Sequence, residues 1–193
     1  DLSIFKINTG SDVMEEITTD TDFKETDEIR LDRAIEIYGH KLLRYCHNIL
    51  CDYADAQDAV QETFIKVYYK RSLFRRNISF QAWLYRIAYT TCIDMLRYRK
   101  LRRFLPHRQQ THTAGEEDEY MSEELKAALM TLSAADRALI FSRVIDEQSY
   151  GELEEIYNAS SAALRKRYER AKKKLAGILK EKYQNYNERE KKR

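Results

Sequence analysis

The sequence predicts an all-α protein: two small helical domains joined by a flexible linker, the second containing a helix-turn-helix. Three observations predict this. Charged residues make up 34% of the 193 residues, against five glycines and one proline, a composition that suits helices much better than sheets. Apolar residues recur at helical steps of three and four over two long stretches, 29–100 and 123–183. Between them, 101–122 lose the period and hold Pro106, Gly115 and the acidic run Glu116-Glu117-Asp118-Glu119, a linker signature.

Each element follows in order. Residues 1–28 are polar, with ten acids against three bases between Asp1 and Asp32, and read as an acidic N-terminal extension. Ile35, Tyr38, Leu42, Tyr45 and Ile49 mark one face of a first helix. Asp52 to Asp55 is a short break. Ala56, Val60, Phe64 and Val67 line a second helix, and Phe80, Trp83, Leu84, Ile87 and Ala88 a third that continues to about Arg99. After the linker, Ser133-Ala134-Ala135-Asp136 is a helix start. Ser149 followed by Glu152 fits a capping box, a serine cap with a glutamate three residues on. Asn158-Ala159-Ser160 breaks the chain before a long last helix. There Leu164, Tyr168, Ala171 and Leu175 step by four, three and four, so that face packs inward. Residues 184–193 form a basic tail.

Composition also excludes classes. No apolar run reaches the roughly 18–20 residues of a membrane span, and no signal peptide precedes the helices, so no membrane insertion is expected and a cytoplasmic location is. Three cysteines are a sparse, odd set that suits a reduced compartment. Cys46, His47 and Cys51 carry ligand chemistry, but the cysteines stand five apart and His47 points away from Cys46 on a helix, so no metal is expected. With no glycine-rich phosphate loop and no nucleophile–histidine motif, neither catalytic residues nor cofactors are expected.

Charge is nearly balanced overall but unevenly placed. Between Arg71 and Arg108 stand ten bases and one acid, Asp94; from Arg165 to the end stand thirteen bases and four acids. Two separated basic blocks point to two polyanion contacts. In the last helix the outward face carries Ala162, Arg165, Lys166, Glu169 and Lys173. A major groove admits one helix, and outward basic residues near its N-terminus reach base edges and phosphates. Ser160 or Ser161 can cap this helix and leave free N–H groups near a phosphate. A lone basic helix is more often a solvated surface; the short helix and break before it favour DNA. The second helix sets Asp55, Asp58, Gln61 and Glu62 on one polar face. Phe74 to Lys100 mixes aromatics with arginines, which suits single-stranded nucleic acid as well as it suits an aromatic core with basic flanks.

At these residues the chain resembles a known family, the extracytoplasmic-function (ECF) group of bacterial RNA polymerase sigma factors. The resemblance lies in Asp55-Ala56-Gln57-Asp58-Ala59-Val60-Gln61-Glu62-Thr63-Phe64, in Phe74, Phe80 and Trp83-Leu84-Tyr85-Arg86-Ile87-Ala88, in Asp94-Met95-Leu96-Arg97, and in Ser149 to Leu175 without a gap. It covers about 33–100 and 123–180. Four positions depart from the family pattern: Thr90 stands for asparagine, Glu154 for alanine, Asn158 for glycine, and Ala163 for a small polar residue. Asparagine tolerates the left-handed conformation, so the turn at Asn158 survives.

The resemblance implies that 29–100 binds the polymerase core through Asp55, Asp58, Gln61 and Glu62. It implies that the same domain opens the −10 element, a loop at Phe74–Ser79 capturing a flipped base. Arg75, Arg76, Asn77, Ser79, Trp83, Arg86 and Arg97 are the −10 candidates; Trp83 reads equally as a wedge at the duplex edge or as a core residue. Domain 123–183 is expected to read the −35 element through Ser161, Ala162, Arg165, Lys166, Glu169 and Arg170. The linker 101–122 is expected to thread toward the polymerase cleft, or to be a passive tether. Expected partners are the RNA polymerase core, promoter DNA and an anti-sigma factor. Two rivals remain: an autonomous helix-turn-helix regulator, and a sigma-like decoy that binds polymerase or an anti-sigma factor without starting transcription.

Overall fold

A computed structural model describes residues 27–74, 79–102 and 121–190. Among them are seven α-helices, one 3-10 turn and no strand: α1 (Asp27–Leu50), α2 (Tyr53–Lys70), the 3-10 turn Arg71–Leu73, α3 (Phe80–Arg102), α4 (Glu123–Leu129), α5 (Ala134–Val144), α6 (Tyr150–Tyr157) and α7 (Ser161–Glu190). The acidic extension up to residue 26, the loop residues Arg75, Arg76 and Asn77, and nearly all of the expected linker lie outside the described residues.

The helix starts are written in short polar side chains. Asp52 accepts the Asp55 N–H at 2.9 Å and so starts α2 at Tyr53. The expected break at Asp52–Asp55 is therefore shorter, because Asp52 is itself the cap. Ser122 and Ser133 cap α4 and α5 in the same way. Ser149 and Glu152 close a full capping box on α6. Asn158 ends α6 at φ 50°, ψ 49°, its N–H bonded to the Glu154 carbonyl. Helix α7 runs to Glu190, well into the stretch expected to be a tail.

Helices α1, α2 and α3 pack around Leu42, Tyr45, Ile49, Val60, Phe64, Leu84, Tyr85 and Ala88, all buried. Leu139, Phe141, Leu153, Ile156 and Leu164 of the second helical group join the same continuous cluster. Helix α5 packs on α1, and α6 on α3. Polar groups cross this seam. The Tyr45 and Tyr157 hydroxyls meet across it at 3.0 Å, and within the second group Ser142 Oγ meets the same Tyr157 hydroxyl at 3.0 Å. Tyr89 stands edge-on to Tyr157 at 4.9 Å. Burial, joined by Tyr157, pushes the Tyr45 hydroxyl pKa far above its ordinary value, so it stays neutral. Arg137 of α5, itself buried, donates Nε to the Ile49 carbonyl at the end of α1 at 2.8 Å. A smaller cluster of Cys51, Met121, Leu129 and Leu132 closes the other end.

Candidate nucleic-acid interface

Burying Ala56, Ala59, Val60, Thr63, Phe64 and Val67 leaves the other side of α2 in solvent. Asp58, Gln61 and Glu62 stand exposed there, and Glu62 pairs with Lys66 at 3.4 Å. Asp55 is different. It forms an ion pair with Arg99 of α3, so it ties α2 to α3 rather than presenting a free charge. Sequence spacing placed all four on one face; a partner 44 residues away (Arg99) was beyond its reach. The exposed face also continues past the acids into Ile65, Tyr69 and Leu73, which are 51%, 77% and 69% exposed. The sequence reading missed this apolar extension, although Ile65 and Tyr69 follow Glu62 at helical spacing.

On α3, Ser79 is committed to the helix start: its hydroxyl accepts the Ala82 N–H at 3.1 Å and its carbonyl the Trp83 N–H at 3.0 Å. Trp83 is half-buried among Phe74 and Phe80, with ring centroids at 5.1 and 6.0 Å. Arg86 is also half-buried. Arg97 is exposed and pairs with Asp94 at 3.2 Å. The Thr90 hydroxyl turns back onto its own helix, donating to the Ile87 carbonyl at 2.9 Å. Arg75, Arg76 and Asn77, the other −10 candidates, lie outside the described residues.

On α7 the periodic reading and the burial pattern coincide. Leu164 and Ala171 are buried, and Tyr168 and Leu175 half-buried. Ala162, Arg165, Lys166, Glu169, Arg170 and Lys173 are exposed on the outer side, and Ser161 is half-buried. Two other basic residues are engaged within the chain instead, Arg167 half-buried and Lys174 exposed. Arg167 Nε bonds Asp136 Oδ1 at 2.6 Å, and Lys174 Nζ bonds the Thr131 carbonyl at 2.6 Å. Burial pushes the Asp136 carboxyl pKa up, but Arg167 and Ser133 outweigh it and hold it below the usual aspartate value.

The N-terminus of α7 follows expectation in part. Ser160 caps the helix, its Oγ accepting the Ala163 N–H at 3.4 Å, but the Ser161 N–H, expected to be free, donates to the Glu154 carboxylate. The Ser161 hydroxyl and N–H lower the Glu154 pKa. Glutamate at 154 is thus a second acceptor at this turn. Arg165 is held as well: its guanidinium carbon lies 5.0 Å from the centroid of the Tyr150 ring. Tyr150 was not among the candidates, although it opens the helix whose capping box is plain in the sequence.

Among the described residues no group of three or more His, Cys, Asp or Glu side chains could hold a metal ion, and no helix is long and apolar enough to cross a membrane. The two faces instead offer recognition chemistry: an acidic and apolar surface on α2, and a basic, guanidinium-bearing surface on α7.

Comparison with known proteins gives concordant results. Residues 34–102 match the family described as Sigma-70 region 2. The ECF RNA polymerase sigma factor SigW of Bacillus subtilis (strain 168) is 29% identical over 178 residues, covering 82% of this chain and 93% of that protein. The ECF RNA polymerase sigma factor SigF of Caulobacter vibrioides is 32% identical over 124 residues, covering 63% of this chain and 69% of that protein. The fold is similar to that of the sigma factor RpoE of Bartonella quintana, solved in complex with the anti-sigma factor NepR: TM-score 0.62 and 22% identity, over 78% of this chain and 97% of that one.

Proposed function

The chain belongs to the extracytoplasmic-function group of RNA polymerase sigma factors, and from that membership we propose how its surfaces divide the work. It binds the RNA polymerase core and directs promoter-specific initiation, recognising −35 and −10 elements and aiding −10 melting. The outer face of α2, with Asp58, Gln61 and Glu62, docks on a basic surface of the core; Asp55 supports it through Arg99. Arg75, Arg76 and Asn77 take a flipped −10 base and its phosphates, with Trp83, Arg86 and Arg97 along the helix that follows. Extruding a base costs a few kcal/mol, which such a pocket must return. On α7, Arg165 and Lys166 read −35 base edges, while Ser161, Ala162, Glu169 and Arg170 border them. The linker 101–122 passes toward the polymerase cleft. The work is cytoplasmic, and an anti-sigma factor is the natural antagonist, as one is bound to the Bartonella quintana relative.

The observation that carries this reading is the pairing, in one chain, of an outward basic face on α7 with an outward acidic face on α2. An autonomous DNA-binding regulator needs only the first. Run-off transcription on genomic fragments tests it. Added with core polymerase, the chain should start RNA at defined promoters. Duplex binding without transcripts would support an autonomous regulator, and polymerase binding without transcripts a decoy.

A further inference from the structure

Two guanidiniums converge on one ring at the edge of the recognition helix. Arg165 of α7 and Arg143 at the end of α5 have their guanidinium carbons 5.0 and 4.7 Å from the Tyr150 centroid. The capping box of Ser149 and Glu152 fixes the backbone on which Tyr150 stands. Arg143 donates to the Gln148 carbonyl just before it, and Ser161 Oγ donates to the Tyr150 carbonyl at 3.4 Å, which ties α6 to the start of α7. Tyr150 is half-buried while Arg165 is exposed, so the ring is set in the fold and the guanidinium rests on it from the solvent side.

We propose that Tyr150 is a positioning residue for −35 specificity: its ring holds the Arg165 guanidinium in the orientation that reads a base edge. The inference rests on the base-reading role given to Arg165 above. Arginine has a long, freely rotating stem, and ordering it on binding opposes recognition. A guanidinium stacked on an aromatic face has already lost much of that freedom, while its edge N–H groups stay available for a guanine. Arg143 adds a second effect. Its positive charge sits on the same ring and discourages Arg165 from folding back toward α5. Tyr150 itself need not touch DNA.

The test uses the full chain with core polymerase and a promoter library in which every −35 base is varied. Arg165→Ala should relax preference at one −35 position. Tyr150→Leu should weaken preference at that same position by about two- to fivefold, the scale of an exposed cation–π contact, without changing the salt dependence of promoter binding. Tyr150→Phe, which keeps the ring, should behave as wild type. In an Arg165→Ala background, Tyr150→Leu should add nothing at that position. If Arg165→Ala relaxes one position and Tyr150→Leu does not, the positioning role is wrong and the base-reading role stands. If Tyr150→Leu weakens all sequences alike, the ring is structural only. If Arg165→Ala relaxes nothing, both fall. An independent check covers the case in which Tyr150→Leu fails to fold. In the free wild-type and Tyr150→Phe chains, NMR should find the Arg165 δ-methylene protons shifted upfield by the ring; ordinary shifts there would overturn the proposal.

Discussion

Arg137 is the residue whose loss should cost most for its size. It is 5% exposed, yet it carries a guanidinium. Nε donates to the Ile49 carbonyl at 2.8 Å, Nη2 donates to the same oxygen, and Nη1 donates to the Leu132 carbonyl at 2.9 Å. Burial pulls its pKa down, which shows the desolvation it bears. A hydrogen bond to a charged group contributes about 1.5–3 kcal/mol, so two well-served carbonyls give about 3–6 kcal/mol. Releasing the guanidinium from its buried site returns part of this, leaving a net loss of about 3 kcal/mol for Arg137→Ala. At about 2–4 °C per kcal/mol for a chain of this size, the melting temperature should fall by roughly 6–12 °C. Arg137→Lys should fall by an intermediate amount, because one ammonium cannot span both carbonyls. The assay is thermal unfolding followed by far-UV circular dichroism. A melting temperature for Arg137→Ala within about 2 °C of wild type would show that the two helical groups do not depend on this clamp.

Other expectations follow from the same geometry. Asp58→Ala with Glu62→Ala should lower capture of core polymerase by about three- to tenfold at unchanged melting temperature, measured by pull-down; undiminished capture would remove the docking role of α2. Arg165→Ala and Lys166→Ala should each reduce transcription from the cognate promoter, and at least one should lose about 1–3 kcal/mol of discrimination at a single −35 base, read from a varied promoter library. Uniform loss across the library would reduce both to phosphate contacts. Leu164→Ala, on the inward face, should instead destabilise the chain by about 2–5 kcal/mol in urea titration. Burial raises the Asp146 pKa above the ordinary aspartate value, although Tyr85, Arg44 and Lys41 pull it down. The folded chain therefore holds this proton more tightly than the unfolded chain, and ionised Asp146 costs stability at neutral pH. Asp146→Asn should melt higher than wild type at pH 7, with the difference closing by about pH 4, where the unfolded carboxyl protonates too. A difference that does not change with pH would refute this.

The two faces of α7 were legible because Leu164, Tyr168 and Ala171 repeat at helical spacing, and the outward residues then follow by subtraction. The α6 cap and the left-handed Asn158 were legible because both depend on side-chain chemistry within four residues. The docking of the two helical groups was not. Helical period tells that Tyr45 and Ile156 face inward, but not that they share a core across more than a hundred residues. Asp55 was read as an outward acid for the same reason: spacing sets a face, and only tertiary contact brings Arg99 to it. Tyr150 is not legible in this way, because a tyrosine at a helix start has the spacing of any packing residue and only tertiary contact brings two arginines to its ring.

The seam between the two helical groups also sets an order of events at the ribosome. Helices α1 to α3 emerge first, and with them the rings of Tyr45 and Tyr89, against which Phe141 of α5 and Tyr157 of α6 later pack. Residues 103 to 157 must still be synthesised before α6 is complete, which takes roughly 3–11 s at about 5–20 residues per second. Through that interval the nascent chain displays aromatic rings and the unsatisfied Ile49 carbonyl that Arg137 will claim. Synthesis rate and chaperone access in those seconds therefore bear on the yield of this chain more than they would on a protein whose two halves fold independently.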